Sequence, residues 1–519
     1  MQKGLDKVEK IKISELFYYI FFGALLFAKG IGLYDGQAMF KVLLVIALAA
    51  WTGKMLLTKY TVKEFIVVSG LVLLGGITYL VSGEKGALLY ILMITGLKNV
   101  PVKRVFKVGA VIWCSSFLIM CLLNATHFIE GPFKVHEKFG MGMVIRWGLG
   151  YSHPNVLHVS YLAFVMFLVY LMDQKFNWKS AVGFMIGNMI VFIYSLSSTG
   201  VIIVAFYLCL AVYWRYRGKF NKAEKILIQL VFPVCVGFSL AAPLLLKGKA
   251  FDIVNDIMNT RLFLSRAFLS LHSFTLFGVR LSEVTTSQFT MDNSYVFSFV
   301  IYGMVLFVVM GCAYLILVHK YCKEEKGKEL SIILTCFAGG VMEPFLFNTS
   351  FKNLSLIFMK DIIFEEEKQE SLCFLSKFDK DMNLHFEKGY DMGKCFSAAW
   401  EQKKKLVCIV SLVSMLVGAV AYEIVVQQPE RIIVPEKNCD VAVIQNTREN
   451  LEFVYLESKT EVPQENDKVV GYTNKDTSMI VYEDGIVKME HLRGVVCSSI
   501  VMAIVLGVGT IMINLRKRV

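Results

Sequence analysis

Residues 16–57 read LFYYIFFGALLFAKGIGLYDGQAMFKVLLVIALAAWTGKMLL. Two apolar runs flank a short polar turn, Tyr34-Asp35-Gly36-Gln37, and a helix needs about 20 apolar residues to cross a bilayer. The pattern recurs down the chain. Of 519 residues, 56% are hydrophobic and only 18% charged. A soluble domain averages about 45–50% apolar and about 25% charged residues, so a soluble fold of this composition would lack polar surface to cover its core. A disordered chain, a secreted disulfide scaffold and an ordinary cytosolic enzyme are thereby excluded. The composition predicts an all-α polytopic membrane protein with about 12–14 transmembrane helices, since roughly fourteen spans use about 280 residues.

Candidate spans lie near 15–33, 38–57, 64–82, 86–97, 106–126, 156–172, 180–196, 199–214, 225–246, 294–318, 330–347, 349–364, 406–426 and 494–514. The first follows a short basic stretch, Met1–Lys12, lacks a small-residue cleavage site and reads as a retained span. The fourth is short for a crossing, and the twelfth carries Lys352, Asn353 and Lys360. The net charge of +12 is assigned to the lysine and arginine bias of cytoplasmic loops, so no nucleic-acid partner is expected. Lys98, Lys103, Arg104, Lys175, Lys179, Arg215, Arg217, Lys320 and Lys323 fall on one side when the chain alternates through these spans. That side is expected to be cytoplasmic and to hold both termini.

Two long outer loops, about 127–155 and 247–293, are expected to be ordered and partly helical over the outer face. The composition shifts near Glu365. The chain therefore divides into a multi-span domain 1–364, an amphipathic cytoplasmic linker 365–405 on the inner leaflet, and a two-span module 406–519. The module encloses a small β-containing ectodomain, 428–492, with a hairpin signal at Asp484-Gly485. The twelve cysteines form no CxxC pair, so neither a zinc ribbon nor a redox motif is indicated.

Cationic residues on the outer side oppose the charge bias. Arg146 opens RWGLGYSHPN, in which Pro154 constrains the backbone beside His153 ahead of a long apolar helix. The second loop adds Arg261, Arg266, His272 and Arg280. Either they pair with Asp252, Asp256, Glu283 and Asp292, or they meet a phosphate-bearing ligand, for which arginine offers a planar donor fork. Glu343, within an apolar run and followed by Pro344, is a functional candidate because intramembrane carboxylates are costly; the alternative is a structural partner for a loop arginine. There is no Walker loop, GxGxxG, GxSxG, HExxH or outer DxD, so no cofactor or metal is expected.

Three stretches, RWGLGYSHPN (146–155), TLFGVRL to MDNSYV (275–296) and EPFLFN to FKN (343–353), carry a likeness. Across about residues 10–360 the chain resembles the bacterial Wzy-type repeat-unit polymerases of O-antigen, capsule and exopolysaccharide pathways, within the O-antigen ligase-like superfamily. It departs at Ser198 in SLSSTG, where many relatives carry an arginine. The resemblance implies a glycosyltransferase of the bacterial cytoplasmic membrane. Such enzymes polymerise undecaprenyl-diphosphate-linked oligosaccharide repeats on the outer face, alongside a flippase and a chain-length regulator. Together with the outer-side cations and the intramembrane carboxylate, it points to Arg146, His153 and Glu343 as catalytic residues, with Asn155, Arg261, Arg266, His272, Arg280, Asn293, Tyr295 and Asn348 binding substrate. His153 is the expected base and Glu343 its rival. A ligase moving finished glycan to another acceptor, or a lipid-linked sugar transporter, are the alternatives. No site candidate lies beyond 365, so the C-terminal module is expected to be separable from the chemistry.

Overall fold

A computed structural model describes residues 7–126, 128–129, 133–137, 143–272, 274–281, 291–348, 351–364, 371–372, 375–386, 404–426, 442–447, 450–455 and 483–515. Strand β1 (Lys7–Lys12) leads into helices α1 (Ile13–Gly30) and α2 (Ala38–Leu57). A two-residue strand β2 (Tyr60–Thr61) precedes α3 (Val62–Ser82), α4 (Gly86–Thr95) and α5 (Val102–Ala125). The hairpin β3 (Phe133–Glu137) and β4 (Met143–Trp147) follows, then α6 (Pro154–Met172), α7 (Trp178–Ser195), α8 (Ser198–Arg217), α9 (Lys222–Leu245), α10 (Gly248–Ile257) and α11 (Arg261–Leu271). Next come α12 (Ser294–Ile301), α13 (Gly303–Lys323), α14 (Gly327–Gly340) and a 3-10 segment, Leu354–Met359. Helix starts follow local chemistry: Thr61 with Glu64, and Asn221 with Glu224, form reciprocal capping boxes on α3 and α9.

Among the described residues, ten helices are long and apolar enough to cross a membrane: α1, α2, α3, α5, α6, α8, α9, α13 and two C-terminal helices introduced below. The other four of the fourteen expected segments run between the same two ends but are shorter or less apolar. The 86–97 segment forms only the ten-residue α4. The 330–347 segment forms the fourteen-residue α14, followed by a turn. Of the 349–364 segment, the described residues give the 3-10 segment and a single helical turn, and α7 falls short in hydropathy. For α4 and α14 the reason is burial: Leu89 to Ile94 of α4 and Ile332 to Leu334 of α14 are enclosed by other helices. Irregular backbone is tolerated at membrane depth where protein, not lipid, surrounds it. The 294–318 run breaks at Gly303, whose φ is +80° and whose backbone packs on Leu276 and Gly278.

Hydrogen bonds and ion pairs sort the segment ends into two groups. At one end Glu15 meets Arg104, Lys54 donates to Lys98 O, Lys360 donates to Val100 O, Lys326 meets Asp361 and Lys328 meets Asp173. At the other, Tyr151 donates to Gly30 O, Lys85 pairs with Asp35, and the hairpin β3–β4 meets the α7–α8 turn. The first end is the lysine-rich one.

Within the 365–405 linker the described residues include strand β5 (Ser371–Leu372), which pairs with β2, and β6 (Asp381–Phe386), which pairs antiparallel with β1. Asp379 accepts from the Ser14 backbone N–H at 2.9 Å and caps α1 from a distance in sequence. In the module, β7 (Ala442–Thr447) pairs antiparallel with β8 (Asn450–Tyr455). Helices α15 (Lys404–Val426) and α16 (Glu483–Leu515) pack antiparallel, with Gly418 against Met502 and Gly509 against Val410. Asp484-Gly485 therefore lies in the first turn of α16 and is not a hairpin turn. The β-strands stand some thirty residues earlier in the chain than that signal. The rest of 428–482 lies outside the described residues.

Candidate active site at the lysine-poor end

The site begins with β4. Its pairing with β3 sets Arg146 opposite Lys134, and the Arg146 side chain turns into the bundle, 6% exposed. Helix α7 ends at Ser195, so its last carbonyls lack helical partners and attract cations. Arg146 Nε donates to Ser195 O at 2.8 Å, and Nη2 donates to Asn155 Oδ1 at 2.8 Å. Asn155 stands in the first turn of α6, where Pro154 at the start needs no N–H partner. Its amide Nδ2 donates to Glu343 Oε1 at 3.2 Å.

Glu343 sits in the turn after α14, its N–H donating to Gly339 O at 2.9 Å. Arg261, the first residue of α11, approaches the same Oε1 with Nη2 at 3.5 Å and stands 3.4 Å from Asp292 Oδ2. Arg261 Nε also donates to Met342 O at 2.8 Å. Two guanidiniums and two carboxylates thus form a chain, Arg146–Asn155–Glu343–Arg261–Asp292, in which Arg146, Arg261 and Glu343 are buried. Each buried charge has an opposite charge or a carbonyl within reach, which burial requires. Burial holds the Asp292 carboxyl above its usual range, against the pull of Arg261.

Two cavities open on this chain. One of about 200 Å³ is lined by Arg146, Asn155, Arg261, Ser197, Ser198 and Asn259, among others. The other, of about 390 Å³, is lined by Glu343, Lys29, Lys352, Tyr151, Asn348 and Asp35, among others. Glu343 lines the second while its partners Asn155 and Arg261 line the first, so one carboxylate stands between them. Backbone strain collects here: Leu196 (φ +45°) and Asn259 (φ +51°) line the smaller cavity, and Thr260 (φ +66°) adjoins it. Such conformations cost of order 1–3 kcal/mol each and persist where surrounding structure holds them.

Arg146, Asn155, Arg261 and Glu343 are brought together, and Asn348 lines the larger cavity. The other candidates have different places. His153 is the N-cap of α6, its Nδ1 accepting the Asn155 N–H at 3.1 Å, and it lines neither cavity. Arg266 caps the end of α9, donating to Pro243 O at 2.6 Å and to Leu246 O, with its guanidinium 3.6 Å over the Phe251 ring. Asn293 caps α12 and donates to Ser239 and Val341 O; Tyr295 donates to Phe337 O at 2.9 Å. His272 is half-buried and Arg280 exposed, and both lie off the two cavities.

Two residues escaped the sequence reading. Lys352 is buried and donates to Val156 O at 3.3 Å in the larger cavity; in sequence it served only to weaken a span. His158 bridges Ser195 Oγ at 2.9 Å and Asn188 Oδ1 at 2.7 Å, fixing the α7 end that receives Arg146. It sits one turn beyond Asn155 inside an apolar helix, and that spacing was the available signal. Among the described residues, no group of three His, Cys, Asp or Glu side chains is arranged to hold a metal. Comparison with family models, with curated proteins and with solved structures found no match.

Proposed function

We propose that the chain is a membrane glycosyltransferase that polymerises undecaprenyl-diphosphate-linked oligosaccharide repeats, in the manner of the polymerases it resembles. The observation that carries this reading is the placement of two buried arginines and one carboxylate on adjoining cavities at the end opposite the lysine-rich rim. The lysine-rich end is assigned to the cytoplasm, which puts the site on the outer side of a bacterial cytoplasmic membrane with both termini inside.

In this reading Arg146 and Arg261 take the donor's diphosphate, whose charge grows as it leaves. A hydroxyl of the acceptor sugar reaches the anomeric carbon from the larger cavity. The new C–O bond forms as the bond to the diphosphate breaks, and the hydroxyl proton passes to Glu343. The cavity geometry supports Glu343 over His153 as the base, with His153 fixing the mouth of α6. Ser198, where relatives carry arginine, lines the cavity that Arg146 and Arg261 already supply with charge.

The test is the purified protein in proteoliposomes with a lipid-linked repeat. A ladder of products supports the reading. A single transfer to a different acceptor makes the chain a ligase. Movement of intact substrate across the bilayer without new glycosidic bonds makes it a transporter.

A further inference from the structure

The C-terminal module is not detached from the site. Helix α15 packs on α16, and α16 makes the module's contact with the bundle, against α7 and β4. Those are the two elements that hold Arg146. The contact centres on Arg493, which is 1% exposed. Its Nη2 donates to Ile193 O at 3.4 Å, its guanidinium lies 5.8 Å from the Tyr194 ring centroid, and Tyr194 Oη donates to Arg493 O at 3.2 Å. Ile193, Tyr194 and Ser195 are the last turn of α7. A cation at that helix end meets carbonyls without helical partners.

Arg493 and Arg146 therefore grip the same turn. Arg493 takes Ile193 O, and two residues on Arg146 takes Ser195 O. Val496 joins the main apolar core and Cys497 is buried, so the α16 face beside Arg493 is seated in the bundle. Residues 428–482 lead directly into α16.

We propose that Arg493 is a positioning residue for the arginine site. It makes the C-terminal module a built-in control element, in which the seat of α16 on α7 and β4 sets the geometry of Arg146. A load on the segment preceding α16 is then transmitted to the site through one side chain. The activity arm of the test rests on the glycosyltransferase reading; the structural arm does not.

The experiment compares wild type, Arg493→Ala, Arg493→Lys and Tyr194→Phe as full-length proteins in lipid nanodiscs. Hydrogen exchange is followed at 193–200 and 143–148, with 327–340 as a distant reference, and turnover on a lipid-linked repeat is measured alongside. Arg493→Ala is expected to speed exchange in the two near segments alone and to lower kcat about 10–100-fold with little change in KM. That is the scale of a misplacement of about 1 Å at a catalytic group. Arg493→Lys, which keeps a cation at the helix end, is expected to recover part of both. If Arg493→Ala does not fold, Tyr194→Phe, which keeps the ring but loses the hydrogen bond, is expected to show the same changes more weakly. Unchanged exchange at 193–200 in a variant that folds overturns the proposal, whatever happens to turnover. Faster exchange with unchanged kcat also overturns it. Should wild type show no turnover on any lipid-linked repeat, the glycosyltransferase reading fails, and the exchange arm still decides whether Arg493 sets the turn that holds Arg146.

Discussion

The pair Arg261–Glu343 can be weighed by a double-mutant cycle. Both side chains are buried, 6% and 8% exposed, with Nη2 and Oε1 3.5 Å apart. Unit charges at that distance in an effective dielectric of about 20 interact by roughly 5 kcal/mol before desolvation is counted. Contacting residues measured in cycles couple by about 0.5–3 kcal/mol. Arg261→Ala also strands Met342 O and Asp292, so it is expected near the top of the range of about 3–5 kcal/mol seen when one partner of a buried pair is removed. Glu343→Gln keeps the shape and the Asn155 contact and is expected to cost about 1–3 kcal/mol. The double variant is expected to be less destabilised than the sum by about 1–3 kcal/mol. Unfolding by anionic detergent in mixed micelles, followed by intrinsic fluorescence, measures all four proteins. Additivity within about 0.5 kcal/mol would refute the claim that these two charges stabilise one another.

Arg146→Lys keeps the charge but loses the fork to Ser195 O and Asn155, and turnover on a lipid-linked repeat is expected to fall about 10²-fold at equal membrane abundance. Arg266→Ala is expected to cost about 1–3 kcal/mol of stability through the α9 carbonyls it leaves bare, with KM for that substrate unchanged. Gly278→Ala is expected to abolish folded protein in fluorescence-detected gel filtration, since φ is +92° and a Cβ would stand 1.8 Å from Ile301 O; Gly76→Ala, with open space around it, is the matched control. Asp292 binds its proton more readily folded than unfolded. Its contribution to stability is therefore full below the unfolded value near about 3.9 and is lost as pH rises through the folded one. Thermal stability of wild type is expected to fall across that window, and Asp292→Asn to flatten the fall.

Hydropathy made the long lipid-facing helices legible because α2 and α3 must show apolar surface to the bilayer on one face and to the core on the other. It marked α4, α14 and 351–364 as readily as the lipid-facing helices, because apolarity reports burial in protein as readily as burial in lipid. Those segments are short pieces enclosed by neighbours. The strands β5 and β6 were invisible because their partners lie more than 300 residues away in sequence, and no local pattern carries that pairing. At the site, charge standing against the topological bias singled out Arg146 and Arg261 together with Arg266, which caps a helix. The same sign of charge serves a cavity and a helix end, and only the fold separates them. The alternative reading of Glu343 as a partner for a loop arginine matches its contact with Arg261, which does not exclude a chemical role. Arg493 carries the same outer-side charge at the start of the last span, but the α7 turn it meets lies 300 residues away in sequence, and no local pattern carries that contact.

The most direct measurement is a cryo-EM structure of the Glu343→Gln protein in nanodiscs, trapped with a lipid-linked repeat. The account predicts diphosphate density within hydrogen-bonding distance of Arg146 and Arg261, in the smaller cavity, with the acceptor sugar reaching position 343 from the larger one. Diphosphate held instead at His272 and Arg280, or at the lysine-rich end, with the arginine cavity empty, would contradict it.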